Sequence, residues 1–157
     1  MEAACSIRAA GEADLAAVAR ITAAAYGPYV AEFGAPPVPM TDDHAARIAR
    51  GETFLAEIAH DPVGLVSLEL HDDHALVFSV AVDPPSQGRG LAGALLRFAE
   101  TRARGAGRRE LRLYTNARMT RNIAIYLAHG FRETGRRPHP HRAGWTLVDM
   151  AKPLDRP

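Results

Sequence analysis

The chain has 157 residues, 47% of them hydrophobic and 24% charged, which suits one globular domain that can bury a core. No run of 18 apolar residues predicts a membrane span, and residues 1–6 lack the basic start of a signal peptide. The only cysteine, Cys5, excludes an internal disulfide. We therefore expect a single cytoplasmic domain over residues 1–157, without a membrane partner.

The net charge of +1 conceals two oppositely charged parts of the chain. Residues 1–85 carry four arginines against 13 acidic residues, whereas residues 86–157 carry 14 arginines and one lysine against five. The basic part suits an anionic ligand, and the acidic part suits a cationic amine. Because the total is nearly balanced and no nucleic-acid-binding motif is found, we expect no nucleic-acid partner.

The N-terminal part predicts one strand followed by helices. Residues 6–8 are a short strand candidate, and residues 12–25 place apolar side chains on one stripe of a helix. A further helical turn over residues 30–33 leads to a proline-rich loop. Thr41 is the predicted N-terminal cap of a helix over residues 42–50.

From residue 53 the apolar period changes to two, which is typical of strands. Three strands are predicted, and the turns between them are short enough to require antiparallel hairpins. The third strand ends at Val82, and a helix from Gly90 to about Arg104 then makes the next strand parallel to it. The three strands cover residues 53–59, 63–70 and 75–82. The remaining elements are a strand over 110–115, a helix over 119–129, a strand over 131–133, a basic loop over 136–142 and a strand over 145–151.

The turn between the third strand and the long helix indicates an anion site. The first turn of a helix has amide groups without intrahelical acceptors and carries partial positive charge. Between Ser86 and Phe98 the sequence has no acidic side chain and no hydroxyl beyond that of Ser86, so these amides are left for an outside anion. Arg89 adds a positive charge, and three glycines let a ligand approach the backbone. These glycines are Gly88, Gly90 and Gly93.

One ligand that fits such a turn is a dinucleotide, because Gly88-x-Gly90-x-x-Gly93 matches the nicotinamide-cofactor fingerprint. That fingerprint expects an acidic residue at the end of the next strand, whereas Glu110 begins it. It also normally opens a βαβ unit, but this one follows hairpin-linked strands. Both departures weigh against a nicotinamide cofactor. A nicotinamide-binding protein is kept only as an alternative.

The same turn carries Gln-x-x-Gly-x-Gly/Ala as Gln87-Gly88-Arg89-Gly90-Leu91-Ala92, with Asn122, Tyr126 and Gly130-Phe131 downstream. With these residues the chain resembles the GNAT superfamily of acyl-CoA-dependent N-acyltransferases over nearly its whole length. The resemblance implies an α/β (α+β) fold: a mixed, mostly antiparallel sheet flanked by helices, whose central parallel strands are splayed. It also implies acetyl-CoA as co-substrate; because the sequence has no further cluster of metal ligands, we expect no metal. The implied coenzyme-binding residues are Val80, Ala81, Val82, Gln87, Gly88, Arg89, Gly90, Leu91, Ala92, Gly93, Asn122 and Tyr126.

Amide formation from a thioester needs a deprotonated amine, an oxyanion donor and a proton for the thiolate. Asn122 and Tyr126 are four residues apart and so share a helical face. The resemblance implies that Asn122 binds the pantetheine or phosphate portion, that Tyr126 protonates the thiolate, and that the main-chain N–H of Val82 meets the oxyanion. A free phenol has a pKa of about 10 and a thiol one of about 8.5, so a tyrosine can donate at neutral pH. A structural tyrosine packed against the sheet is the alternative.

The general base is less well defined. Many relatives carry a glutamate within the third strand, but Phe78 stands at the corresponding place. Glu69 is a substitute candidate for the general base. The alternative is that Glu69 is only a solvated residue at the edge of the sheet. His71 and His74 are further candidates, although a turn of this composition is typical of a polar hairpin tip and lacks further metal ligands.

Tyr26, Tyr29 and Phe33 form an aromatic group that the resemblance places near the acceptor. A ring face attracts an ammonium group, so Tyr26 and Tyr29 are candidates for substrate contact, with core packing as the alternative. His139 and His141 in the late basic loop are weaker candidates. We expect acetyl transfer to a primary amine of a small molecule or a protein N-terminus by direct attack, with a possible homodimer. The alternative from a different class is an acyl-CoA-binding sensor without turnover.

Overall fold

The computed structural model describes residues 4–155. The first three residues, which contribute to the expectation that there is no signal peptide, lie outside the described residues. Seven strands of the described chain form one sheet in the order β1-β2-β3-β4-β5-β7-β6. The strands are β1 (Cys5–Ala9), β2 (Thr53–Ile58), β3 (Asp61–Leu70), β4 (Ala75–Val82), β5 (Glu110–Asn116), β6 (Arg132–Pro138) and β7 (Thr146–Pro153).

Helices flank this sheet, and the sheet is mixed but mostly antiparallel, which confirms the predicted fold class. The exception to antiparallel pairing is β4 with β5, where Ala75 pairs with Leu111 and Leu76 with Arg112. The helix between these two strands is long enough for the crossover that parallel strands require. The α-helices are α1 (Leu15–Tyr26), α2 (Pro28–Phe33), α3 (His44–Ala49), α4 (Leu91–Gly105) and α5 (Thr120–Ala128).

The described chain divides into two compact units. The first unit holds residues 4–68 and 79–98, and the second holds residues 69–78 and 99–155. The single domain expected from chain length stays a prediction.

The core of the first unit depends on close packing between β3, β4 and the first half of α4. A Cβ added to Gly64 would lie 3.1 Å from the carbonyl oxygen of Ala81 and 3.3 Å from the side chain of Leu95. Both distances are tighter than ordinary Cβ contacts, so any other residue here would require its neighbours to shift by a few tenths of an ångström. The rings of Phe54 and Phe98 pack 4.8 Å apart in the same core.

In the second unit, β5 separates a buried face of the sheet from a charged one. Leu111 and Leu113 are fully buried, whereas the intervening Glu110, Arg112 and Tyr114 are half-buried. Because successive side chains of a strand point to opposite faces, the charged and aromatic residues share the face away from the core. This alternation gives the second unit a polar sheet surface.

The predicted cap of the helix that begins near residue 42 is wrong. Asp43, not Thr41, is the N-terminal cap of α3, and its carboxylate accepts a hydrogen bond from the amide of Ala46 at 3.0 Å. Thr41 ends a short 3-10 helix, and its hydroxyl donates to the carbonyl of Val38. Threonine and aspartate both cap helices well, so residue type alone does not show where the helix begins. The 3-10 turn that ends at Thr41 places the start of α3 after Asp43.

The extent of β6 was also wrongly predicted, because residues 136–138 were expected in a loop. In the structure Arg136 pairs with Val148, Arg137 with Leu147 and Pro138 with Thr146. The strand lies at the edge of the sheet and is largely exposed, so it lacks the apolar alternation by which strands are identified. A proline is tolerated at such an edge, where its missing N–H breaks no ladder.

Candidate active site

The predicted site residues are distributed over both units of the described chain. In the first unit lie Tyr26, Tyr29, Val80, Ala81, Val82, Gln87, Gly88, Arg89, Gly90, Leu91, Ala92 and Gly93. In the second unit lie Glu69, Asn122 and Tyr126.

The glycine loop before α4 requires glycine for its backbone conformation. Gly88 and Gly90 have φ angles of +82° and +78°, in the left-handed region that other residues rarely adopt. A Cβ added at either position would meet no heavy atom within 4 Å, so the space beside the loop is open. The glycines are therefore needed for the turn itself and leave the adjacent space accessible.

The start of α4 presents main-chain donors beside this open space. Within residues 4–155, no oxygen atom accepts a hydrogen bond from the amides of Leu91, Ala92 or Gly93. The first main-chain bond at this end runs from the amide of Ala94 to the carbonyl of Gly90 at 3.1 Å. The 15-residue helix directs its partial positive charge to the same place. The loop can thus hold an anion such as a diphosphate.

Hydrogen bonds and an ion pair within the first unit hold the end of β4 that leads into the loop. The side-chain Nε2 of Gln87 donates to the carbonyl of Val82 at 3.1 Å, and the main-chain N–H of Asp83 donates to the carbonyl of Val63 at 2.8 Å. Arg20 of α1 pairs with the carboxylate of Asp83 at 3.0 Å. Gln87, predicted to bind the coenzyme, therefore contacts the protein's own backbone.

Tyr26 is anchored by its hydroxyl, which donates to the carbonyl of Val80 at 3.0 Å and lies 3.4 Å from Ser79 Oγ. Only 6% of Tyr26 is exposed, and this burial raises its pKa, against the opposite effect of the two hydrogen bonds. Tyr29 instead stacks on Phe33, with 5.2 Å between ring centroids. The sequence grouped these rings but missed Ser79 and the bond to β4. The proposed amine contact of Tyr26 and Tyr29 stays a prediction.

In the second unit, α5 brings Asn122 and Tyr126 to one face, four residues apart. Tyr126 is buried, and its ring meets that of Phe131 edge to face at 6.0 Å. The amide of Phe131 donates to the carbonyl of Tyr126 at 3.1 Å after Gly130 turns the chain with φ of +91°. The side chain of Asn122 approaches Met119 Sδ at 3.8 Å. The coenzyme-binding role of Asn122 and the catalytic and coenzyme-binding roles of Tyr126 stay predictions.

The candidate bases form one cluster at the hairpin between β3 and β4. Glu69 Oε1 lies 2.8 Å from His71 Nε2, and His74 Nδ1 lies 2.6 Å from Asp73 Oδ1. The two imidazoles stack with 4.8 Å between their centroids. Glu69 is thus paired with a histidine that was a rival candidate for the same role. Within residues 4–155, no group of three or more His, Cys, Asp or Glu side chains could hold a metal ion.

The loop between β6 and β7 is built around Trp145. The His139 ring meets the indole edge to face at 5.6 Å, and the Arg142 guanidinium lies 5.5 Å from the Trp145 ring centroid. Nδ1 of His139 accepts a hydrogen bond from the amide of His141 at 3.1 Å. Partial burial lowers the pKa of His139, and the positive charges of Arg142, His141 and Arg137 lower it further. The neutral ring therefore carries its proton on Nε2 and is a donor there.

A pocket of about 460 Å³ opens on the polar sheet surface of the second unit, and we call it the sheet-face pocket. This volume is typical of small-molecule sites. Sequence reasoning missed it, although the alternation of charged residues in β5 was a signal. Its lining is Leu76, Glu110, Arg112, Leu113, Tyr114, Thr134, Arg137, Asp149, Met150 and Ala151.

Among residues 4–155, every helix is too short or too polar to cross a lipid bilayer.

The model of one protein family, described as the acetyltransferase (GNAT) family, matches residues 17–131. No curated protein matches the sequence at a significant level.

Solved structures of acetyltransferases share the fold. The ribosomal-protein-S18-alanine N-acetyltransferase of Escherichia coli is 24% identical with a TM-score of 0.79, covering 98% of this chain and 96% of its own. PaiA N-acetyltransferase of Thermoplasma acidophilum, solved with coenzyme A, is 16% identical with a TM-score of 0.81, covering 96% and 99%. Ard1 of Thermoplasma volcanium is 18% identical with a TM-score of 0.78, covering 97% and 99%. At these identities the likeness shows the fold alone.

Proposed function

Because the chain belongs to the GNAT acetyltransferase family, we propose that it transfers an acetyl group from acetyl-CoA to a primary amine by direct attack. Acetyl transfer as such is the activity of the family. The co-substrate, the amine and the mechanism are our proposal. The observation that carries it is the open glycine loop at the start of α4, with unpartnered amides beside Gly88 and Gly90 among the described residues.

The residues of this loop fit a coenzyme A diphosphate. The amides of Leu91, Ala92 and Gly93 would donate to its oxygens, and Arg89 would add a positive charge. The missing Cβ atoms of Gly88 and Gly90 leave space for the ligand at the backbone. The structure of PaiA with coenzyme A supports this choice of ligand by similarity of fold. When bound, acetyl-CoA supplies the thioester on which the chemistry takes place.

The chain's own groups then have three tasks. Tyr126 holds the hydroxyl proton that goes to the leaving thiolate. Asn122, on the same face of α5, binds the pantetheine or phosphate portion of the coenzyme. The main-chain N–H of Val82 is the donor for the oxyanion. Glu69, with His71 beside it, is our candidate to take the proton that the amine loses. In this scheme a C–N bond forms and a C–S bond breaks, so the amine proton lost is matched by the one given to sulfur.

For the acceptor we propose a small-molecule amine or a peptide N-terminus. The name of the Escherichia coli neighbour, an alanine N-acetyltransferase of ribosomal protein S18, supports the second. Tyr26 and Tyr29 remain candidates for amine contact. We further propose a cytoplasmic protein, with neither nucleic acid nor membrane as partner, that can form a homodimer.

A second candidate function is an acyl-CoA-binding sensor without turnover. It is favoured by Phe78, which stands where many relatives have a glutamate, so that the usual general base is missing. The third reading, a nicotinamide-binding protein, has only the glycine spacing in its favour.

Two measurements test the proposal. Equilibrium dialysis with coenzyme A and with NAD identifies the ligand, and release of free thiol from acetyl-CoA over a panel of amines measures turnover. We expect binding of coenzyme A, no binding of NAD and amine-dependent thiol release. Coenzyme binding without thiol release on any amine would favour the sensor, and selective NAD binding would overturn the proposal.

A further inference from the structure

The sheet-face pocket brings together two arginines from strands that are distant in sequence. Arg112 comes from β5 and Arg137 from β6, with Asp149 of β7 between them in the strand order. The two guanidinium groups are half-exposed, with 44% and 43% of the side chains accessible. Both can therefore reach a ligand in the pocket.

A carboxylate binds the Nε of each guanidinium group and leaves the terminal nitrogens available to a ligand. Nε of Arg137 donates to both oxygens of Asp149, at 3.1 and 2.9 Å, and Nε of Arg112 donates to Glu110. Among residues 4–155, no hydrogen bond from the terminal nitrogens of either arginine is formed, although Asp73 Oδ2 lies 3.9 Å from Nη2 of Arg112. A guanidinium held in this way keeps a planar pair of donors for a carboxylate.

The charges around the arginines restrict the class of ligand. Glu110 and Asp149 line the same pocket, so it has two negative and two positive side chains. A dianion such as phosphate would be repelled by the two carboxylates, whereas a carboxylate accompanied by an ammonium group complements both signs. Tyr114, with the Arg137 guanidinium 5.2 Å from its ring centroid, and Leu76 supply apolar surface for a side chain.

We propose that the sheet-face pocket binds a zwitterionic amino acid, whose carboxylate is held by the terminal nitrogens of Arg137. That this amino acid is the acceptor of the acetyl group rests on the proposed function; that it binds does not. The proposal narrows the acceptor from any primary amine to one with a carboxylate.

The first test compares two probes that differ by a carboxylate alone, phenylalanine and phenethylamine, in isothermal titration calorimetry with the full chain. We expect phenylalanine to bind at least about tenfold more tightly, since hydrogen bonds between ions are among the stronger polar contacts in proteins. Arg137→Ala should remove most of that preference without weakening phenethylamine binding. Arg137→Lys keeps the charge but not the paired donors, so it should restore only part of the preference.

Arg136→Ala is the matched control. Arg136 is the neighbouring residue on β6, pairs with Glu133 at 2.6 Å and does not line the pocket. Successive side chains on a strand point to opposite faces, so this variant should keep the full preference. Equal affinity for the two probes, an equal loss in the Arg136 and Arg137 variants, or displacement of phenylalanine by inorganic phosphate would each overturn the proposal.

A second measurement separates this proposal from the proposed function. In the thiol-release assay, Arg137→Ala should raise KM for phenylalanine about tenfold without changing KM for acetyl-CoA. Thiol release that is equal for phenylalanine and phenethylamine would refute the role of the bound amino acid as acceptor while leaving the proposed function intact. Selective phenylalanine binding without thiol release on any amine would refute both the proposed function and the role of the amino acid as acceptor.

Discussion

The two candidate ligand sites of this chain are built from different parts of the polypeptide. The glycine loop of the first unit offers main-chain amides, whereas the sheet-face pocket of the second unit offers the side chains of Arg112 and Arg137. A site made of main-chain donors depends on backbone conformation, and a site made of side chains depends on residue identity. The comparison therefore predicts which kinds of substitution each region tolerates.

The supporting residues differ in the same way. In the first unit, Tyr26 and Gln87 donate to the carbonyls of Val80 and Val82, so side chains hold the backbone in place. In the second unit, Asp149 and Glu110 hold the guanidinium groups, so side chains orient other side chains. Five predictions test this contrast, from the largest expected effect to the smallest.

The largest effect is expected at Tyr126, because there a single side-chain proton is proposed to carry the chemistry. Tyr126→Phe should lower kcat about 100-fold or more while the Kd for coenzyme A changes little. Thiol release measures the first and equilibrium dialysis the second. Tyr29→Phe is the control for the loss of a phenol hydroxyl: it keeps the ring that stacks on Phe33 and is proposed to contact the amine, so it should keep kcat. Unchanged turnover in Tyr126→Phe would remove this phenol from the mechanism.

At the glycine loop, a change in backbone conformation should weaken the binding of coenzyme A. Gly90→Ala adds a Cβ to a residue with φ of +78°, which costs about 1–2 kcal/mol in that conformation and displaces the loop. We expect affinity for coenzyme A to fall about tenfold. Gly51→Ala, at φ of +73° after α3, imposes the same strain away from the loop. If both variants bind coenzyme A equally well, the loop does not hold the diphosphate.

Tyr26 should show how far a supporting side chain matters. Tyr26→Phe removes the donor to the Val80 carbonyl, which should lower the free energy of unfolding by about 1 kcal/mol and raise KM for acetyl-CoA. Urea denaturation and steady-state kinetics measure the two effects. Ser79→Ala leaves that hydrogen bond in place and should change KM less. A larger effect in the Ser79 variant would show that the hydroxyl of Tyr26 is not the anchor.

The smallest expected effect is a pH dependence in the second unit. The pKa of His139 is lowered from 6.5 by burial first and then by Arg142, His141 and Arg137. Below about pH 6.5 the unfolded chain binds this proton more readily than the folded one, so the free energy of unfolding should fall as pH falls. His139→Gln should remove part of that slope in urea denaturation.

The charges around His139 can be tested directly by NMR titration of its ring. Arg142→Ala should raise the pKa of His139 toward its ordinary value, because one nearby positive charge is removed. Arg136→Ala is the control, since Arg136 is not among the groups that shift this histidine. An equal response in the two variants would show that net charge, not contact, sets the pKa.

Much of the fold could be predicted because it follows from local patterns. The apolar period of two over Thr53–Ile58 and Ala75–Val82 predicted strands, and the short turns between strands required hairpins. The edge strand Arg132–Pro138 was underestimated because one partner strand and an exposed surface leave no apolar pattern. The cap of α3 was misplaced because neighbouring Thr41 and Asp43 have similar propensities.

By itself, the sequence determined the glycine loop, the face shared by Asn122 and Tyr126 and the mixed sheet, because each depends on residues close together in the chain. Only the tertiary structure decided that Tyr26 is bound to Val80 and that residues as distant as Arg112, Arg137 and Asp149 line one pocket. The reason is physical: a main-chain site forms within one turn, whereas a side-chain site depends on which strands become neighbours. That order, β4-β5-β7-β6, is a property of the folded sheet and leaves no local signal in the sequence.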